Sequence, residues 1–155
     1  MVSLLSYSLK RGEMFTAKVP LHTQELMALL APLLPPKTYL AGGTALCLHL
    51  DHRSSFDIDL YTPHHFDEKK YLKLWRTSLP EFEVLYTSEQ TIGGKVTNGE
   101  INLFYFEYPL LETPSQFNGI PIASIADIGA MKIEAIASRG LKRDFFDLYI
   151  ICQQR

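Results

Sequence analysis

The chain reads as a mixed α/β domain of the α+β kind, a mixed sheet flanked by helices. A strand–glycine–helix–strand unit spans Tyr39 to Leu60. Apolar residues recur at helical spacing near both ends, and three strand-like segments lie between Phe82 and Tyr105. At 155 residues, one core fits and two hardly do, so 1–155 is read as a single domain. A hydrophobic fraction of 46% with 21% charged residues is ordinary for a globular protein, and the net charge of −2 supplies no global field toward nucleic acid or membrane. Cys47 and Cys152 suggest neither a disulfide framework nor a zinc site. No run approaches a membrane span, and the opening M-V-S-L-L-S-Y-S-L-K is too short and polar for a signal segment. No membrane partner and a cytoplasmic location are therefore expected.

Thr23 is a candidate cap for a helix over Gln24–Leu34, with Leu26, Leu29, Leu30 and Leu33 on one side and Pro35-Pro36 as its stop. Lys37–Ala41 reads as a strand entering Gly42-Gly43, Thr44–Leu50 as an apolar helix, and Phe56–Tyr61 as a second strand. A turn at Thr62–His65 leads to a helix ending near Leu79, with Leu72, Trp75 and Leu79 as its apolar stripe. Its Lys69/Lys73/Arg76 stripe reads as a solvated face. Strands are expected over Phe82–Thr87, Thr91–Val96 and Glu100–Tyr105, with Asn98-Gly99 as the hairpin signal between the last two. Pro109, Pro114 and Gly119 break the region that follows. Ser124-Ile125-Ala126-Asp127 has the capping-box spacing, opening a helix to about Ser138 with Gly140 beyond it, and a last helix runs from Lys142 to the terminus.

The chemistry-bearing residues stand out against this frame. Asp57 and Asp59 are spaced i, i+2 in F-D-I-D-L-Y, so their carboxylates share one strand face. Paired carboxylates repel unless a cation lies between them, and hard oxygen ligands suit Mg²⁺. Gly42 and Gly43 precede a helix, where backbone N–H groups can approach a phosphate; the same glycines also suit a plain tight turn. Arg53 lies just before the aspartates, within reach of a triphosphate. Lys132 falls on the apolar stripe of its helix among Ile125, Ile128, Ala135 and Ile136, with Arg139 continuing the stripe, so it needs a partner or a route to water. Asp144 is the candidate partner, and an ion-pair group of Lys132, Arg139, Arg143, Asp144 and Asp147 joining the last two helices is the purely structural alternative. The histidines make no readable catalytic set.

Three blocks, Y-L-A-G-G-T-A-L-C-L, H-R-S-S-F-D-I-D-L-Y and M-K-I-E-A-I-A-S-R-G-L-K-R-D-F-F-D-L-Y, resemble the AbiEii/AbiGii-type nucleotidyltransferases. That family includes toxins of bacterial type IV toxin–antitoxin and abortive-infection systems. The resemblance implies a polymerase-β-like nucleotidyltransferase fold, with Gly42, Gly43, Thr44, Arg53 and Lys132 on the nucleotide and Asp57 and Asp59 on Mg²⁺. Asp57, Asp59, Lys132 and Asp144 would form the catalytic set. It implies transfer of a nucleoside monophosphate from a nucleoside triphosphate to an acceptor hydroxyl, with RNA, tRNA in the family's toxins, as the acceptor class. Two departures stand out. The position of the third metal-binding carboxylate holds Asn102, with Glu100 two residues earlier on the same strand face, and the chain lacks the extra C-terminal helices usual in the family. The last helix is apolar nearly all round (Phe145, Phe146, Leu148, Tyr149, Ile150, Ile151), which calls for a cover such as a second copy or a cognate antitoxin. The alternative to an enzyme is a catalytically degenerate fold that binds a nucleotide or protein without turnover.

Overall fold

The computed structural model describes residues 13–154; the N-terminal decapeptide considered as a leader and the terminal Arg155 lie outside them. The chain forms α1 (Leu21–Leu30) with a 3-10 turn at Ala31–Leu33, β1 (Tyr39–Ala41), α2 (Gly42–Leu50), β2 (Ile58–Thr62) and α3 (Glu68–Ser78). There follow β3 (Glu83–Ser88), β4 (Thr91–Val96), β5 (Gly99–Tyr105), β6 (Ser115–Phe117), β7 (Ile120–Ile122), α4 (Ile125–Ser138) and α5 (Lys142–Cys152). One mixed sheet has the order β3-β4-β5-β2-β1-β7-β6, with β2/β5 and β1/β7 parallel and the other neighbours antiparallel.

Alternation in β2, β4 and β5 divides the sheet into two unlike faces. Ile58, Leu60, Ile92, Ile101 and Leu103 are fully buried and join Met27, Leu46, Leu48 and Trp75 in one core cluster. Trp75 of α3 meets Phe82 edge to face at 5.5 Å, and its indole N–H donates to the Leu33 carbonyl, so the α3 stripe packs as its spacing requires. Asp67 caps α3 by accepting the Lys70 N–H. The opposite face, with Asp57, Asp59, Asn102 and Phe104, remains for other work.

Several boundaries differ from the sequence reading. Thr23 does not cap α1: the helix starts at Leu21 after Pro20, whose fixed φ suits a helix entrance, and Thr23 is buried inside the first turn. The helix after β1 begins at Gly42 rather than Thr44, and β2 begins at Ile58, leaving Asp57 at its mouth. The β4–β5 hairpin exists, but Val96 pairs with Gly99, so its loop is Thr97-Asn98 and Gly99 belongs to the strand. A hairpin absent from the sequence reading joins β6 to β7 through Asn118-Gly119, where φ values of 47° and 80° match a primed two-residue turn. The capping box is present: Ser124 accepts the Asp127 N–H at 3.1 Å and donates to the Asp127 carboxylate at 2.7 Å. Phe145, Phe146 and Tyr149 of α5 are exposed, as the all-round apolar pattern implied.

Candidate active site

Asp57, Asp59 and Tyr61 alternate onto one face of β2, and Glu100, Asn102 and Phe104 onto the same face of β5. The parallel register sets Asp59 beside Asn102 and Tyr61 beside Phe104. These side chains floor a cavity of about 450 Å³. Gly42, Gly43, Arg53, Tyr86, Lys132, Arg139 and Arg143 line the same cavity.

Glycines make the carboxylate pair possible. Gly42 has φ +71°, and a Cβ there would stand 2.8 Å from Asp59 Oδ2. At Gly43 a Cβ would fall 2.4 Å from an Arg53 Nη, so the Arg53 side chain lies directly against the first turn of α2. The approach is also tight on β5, where a Gly99 Cβ would meet the Phe56 carbonyl at 2.7 Å and Asp57 Oδ1 at 3.0 Å. Gly99 therefore serves close approach to Asp57 rather than a turn. Thr44 is buried; its hydroxyl donates to the Asp57 carbonyl and accepts from the Ser55 hydroxyl, so it ties α2 to the aspartate loop.

Asn102 occupies the third acidic position as a fixed amide. Its Nδ2 donates to Asp59 Oδ1 at 3.1 Å, and its Oδ1 accepts the Tyr86 hydroxyl at 2.8 Å. Tyr86 gets there by two local devices. A bulge between Val84 and Tyr86 inserts Leu85 and turns Tyr86 onto the site face, and Gly93 opposite leaves space for its ring, which a Cβ would meet at 2.2 Å. Sequence reasoning missed Tyr86; the glycine pair inside β4 was its one available signal. Glu100 is exposed on the cavity rim, and its N–H donates to Asp57 Oδ1 at 3.0 Å.

The cations are held from behind by two carboxylates with no solvent exposure. Lys132 Nζ lies 3.0 Å from Asp144 and 2.8 Å from Asp147. Arg53 grips Asp147 with two hydrogen bonds of 2.7 and 2.8 Å, and His52 adds a third contact at 2.9 Å. Arg139 makes two bonds of 2.9 Å to Asp144. The expected Lys132–Asp144 pair thus forms, but neither Asp144 nor Asp147 lines the cavity. Asp144 is placed to position Lys132 and Arg139. Asp147, left at the margin of the sequence reading, carries as much of the network. Burial alone would raise both carboxyls, but the hydrogen bonds from Arg139 and Lys132 hold Asp144 below the ordinary carboxylate range. Those from Arg53, His52 and Lys132 hold Asp147 far below it. Asp59 goes the other way: burial raises its carboxyl, the Asn102 amide opposes this, and Asp57 adds to it.

The oxygens offered fit a hard cation. Asp57 Oδ1 and Asp59 Oδ1 accept N–H donors, while Gly42 keeps the space beside Asp59 Oδ2 clear. Among the described residues no group of three or more His, Cys, Asp or Glu side chains assembles. Mg²⁺ suits such a site, because it is commonly held by one or two carboxylates together with substrate phosphates and water.

The sequence model of the family described as "Nucleotidyl transferase AbiEii toxin, Type IV TA system" matches residues 99–155, from β5 through α5. The uncharacterized protein aq_aa25 of Aquifex aeolicus (strain VF5) is 39% identical over 122 residues, 75% of this chain, and the chain spans 58% of that relative's length. The fold is similar to that of JHP933 from Helicobacter pylori, with a TM-score of 0.62 and 19% identity over 88% of this chain and 68% of that one. It is also similar to the antibiotic-resistance factor ANT(2″)-Ia, with a TM-score of 0.56 and 18% identity over 84% and 82% of the two chains. The Megavirus polyadenylate synthase gives a TM-score of 0.56 and 15% identity over 85% of this chain and 31% of its own. The segment that carries Lys132, Arg139, Arg143, Asp144 and Asp147 thus matches the AbiEii nucleotidyltransferase family, and the fold is similar to those of these three solved structures.

Proposed function

We propose that the protein is a Mg²⁺-dependent nucleotidyltransferase that moves a nucleoside monophosphate from a nucleoside triphosphate to an acceptor hydroxyl, RNA being the favoured acceptor. One observation carries this reading: the Asp57/Asp59 pair lines a single cavity together with Arg53, Lys132, Arg139 and Arg143 and with Gly42 and Gly43. Bound at the carboxylates, Mg²⁺ would supply charge neutralisation for the attacking and leaving oxygens. The chain's own part is electrostatic positioning. The α2 N-terminus and the cations lining the cavity accept phosphate charge, and buried Asp144 and Asp147 keep Lys132 and Arg53 from folding away toward solvent. The description of the family that residues 99–155 match supports a toxin role opposite a cognate antitoxin, and the polyadenylate synthase among the structural neighbours supports RNA as the acceptor class. ANT(2″)-Ia, seen in complex with adenylyl-2″-tobramycin, supports a small molecule as the other acceptor class.

A second reading, a binding module without turnover, is favoured by Asn102, whose amide cannot take a proton from an acceptor. Purified protein incubated with Mg²⁺, each labelled nucleoside triphosphate in turn and total RNA separates the two. Label is expected in RNA with at least one nucleotide and is expected to fall to background with Asp57→Asn or Asp59→Asn. Folded wild type that transfers from none of the four would establish the binding module instead.

A further inference from the structure

The cavity continues past its carboxylates. One layer further along the same sheet face, Tyr61 and Phe104 lie side by side, ring centroids 5.3 Å apart and planes 32° apart. Both are half-buried, and Met131 and Ala135 of α4, also half-buried, line the same cavity with them. These side chains leave apolar surface in the cavity that the core does not take up. Alternate strand positions put carboxylates and rings in successive layers of the cavity floor, the order in which a nucleotide carries its phosphates and its base. Asp59 and Tyr61 are two strand residues apart, as are Asn102 and Phe104, so the aromatic layer begins about 7 Å beyond the carboxylates. A ribose spans a comparable gap between phosphate and base.

Resting on the nucleotidyltransferase reading, we propose that the Tyr61–Phe104 floor, faced by Met131 and Ala135, is a stacking slot for a nucleobase. Every base has a π-face, so an aromatic floor with apolar walls grips the ring without reading its edge.

Binding is measured by calorimetry with Mg²⁺ present, using ATP, GTP, CTP, UTP, base-free inorganic tripolyphosphate and a short single-stranded RNA oligonucleotide. The proteins compared are wild type, Phe104→Leu, Phe104→Tyr and Ala135→Trp, which fills the slot from the α4 side; thermal unfolding confirms that each is folded. At least one nucleoside triphosphate is expected to bind wild type more tightly than tripolyphosphate. Phe104→Leu is expected to weaken it about five- to a hundred-fold, leaving tripolyphosphate unchanged, with Phe104→Tyr restoring it and Ala135→Trp repeating the loss. Loss on the triphosphate arm assigns the base to the incoming nucleotide, and loss confined to the oligonucleotide assigns it to the acceptor. Unchanged affinity for both in folded Phe104→Leu and Ala135→Trp overturns the slot, while tripolyphosphate binding keeps the nucleotidyltransferase reading alive. Failure of every triphosphate and of tripolyphosphate to bind overturns that reading and the slot with it.

Discussion

Gly42 concentrates several demands on one residue. It ends β1, opens α2 in the left-handed region at φ +71°, and lies so near Asp59 that a methyl group would fall 2.8 Å from Oδ2. Gly42→Ala is therefore expected to lose about 1–2 kcal/mol of stability from backbone strain and to displace the Asp59 carboxylate. Denaturant unfolding reads the first effect and Mg²⁺ titration the second; an alanine variant with unchanged midpoint and Mg²⁺ affinity would refute this account. Tyr86 makes a different demand. Its hydroxyl satisfies the inner oxygen of the buried Asn102 amide, and Phe at position 86 would keep the ring over Gly93 while removing that donor. Tyr86→Phe is expected to cost about 1–2 kcal/mol in urea unfolding through the unsatisfied oxygen. The Gly42 contact was half legible in the sequence, since a glycine between strand and helix announces tight geometry. The Tyr86 contact was not, because a bulge shifts the strand's alternation by one residue and puts Tyr86 where regular pairing would put Leu85.

Between elements, α4 and α5 are joined through charge as much as through apolar contact. Lys132 of α4 reaches both Asp144 and Asp147 of α5, and Arg53 in the α2–β2 loop closes on Asp147 from the other side. Removing the Asp147 charge leaves Arg53 without its carboxylate partner and buried Lys132 with Asp144 alone. Asp147→Asn is expected to destabilise the protein by about 3–5 kcal/mol, the usual cost of breaking a buried pair from one side. Chemical denaturation checks it, and a loss below 1 kcal/mol would show that Asp144 and His52 suffice. The helices were legible from their periodicity and caps, and Lys132 on an apolar stripe demanded a partner. The choice between the two aspartates was not legible, because both lie on the packed side of α5 and only the approach of the α2–β2 loop brings Arg53 to Asp147.

At the scale of the molecule, one core cluster runs from α1 through the sheet to α4, with the site on the sheet face turned away from Ile58, Leu60, Ile101 and Leu103. Trp75, the chain's one tryptophan, is fully buried in that core, apart from the ion-pair network. If the chain unfolds as a unit, acid that discharges the network must also melt the surroundings of Trp75. The folded-state carboxyls of Asp144 and Asp147 titrate below their ordinary value of 3.8. Their contribution to stability is thus complete above that value and is lost as pH falls through the lower folded values. Stability is expected to drop steeply with acidification below about pH 4. Trp75 fluorescence and far-UV circular dichroism should show coincident transitions, and Asp147→Asn should flatten the acid dependence. Separate transitions would divide the chain into more than one cooperative unit.

The sequence by itself determined the element types outside the β6–β7 hairpin, the carboxylate pair on one strand face and the need of Lys132 for a partner. These follow from periods of two and 3.6 residues and from the cost of burying charge, all local properties of the chain. Tertiary structure alone decided which cation meets which carboxylate, that Asn102 is fixed between Asp59 and Tyr86, and that Phe104 lies beside Tyr61 along the floor of the site. Those outcomes depend on strand register, one bulge and one loop approach. They bring together residues as far as 94 positions apart in the chain, Arg53 and Asp147, and no local period records such a meeting.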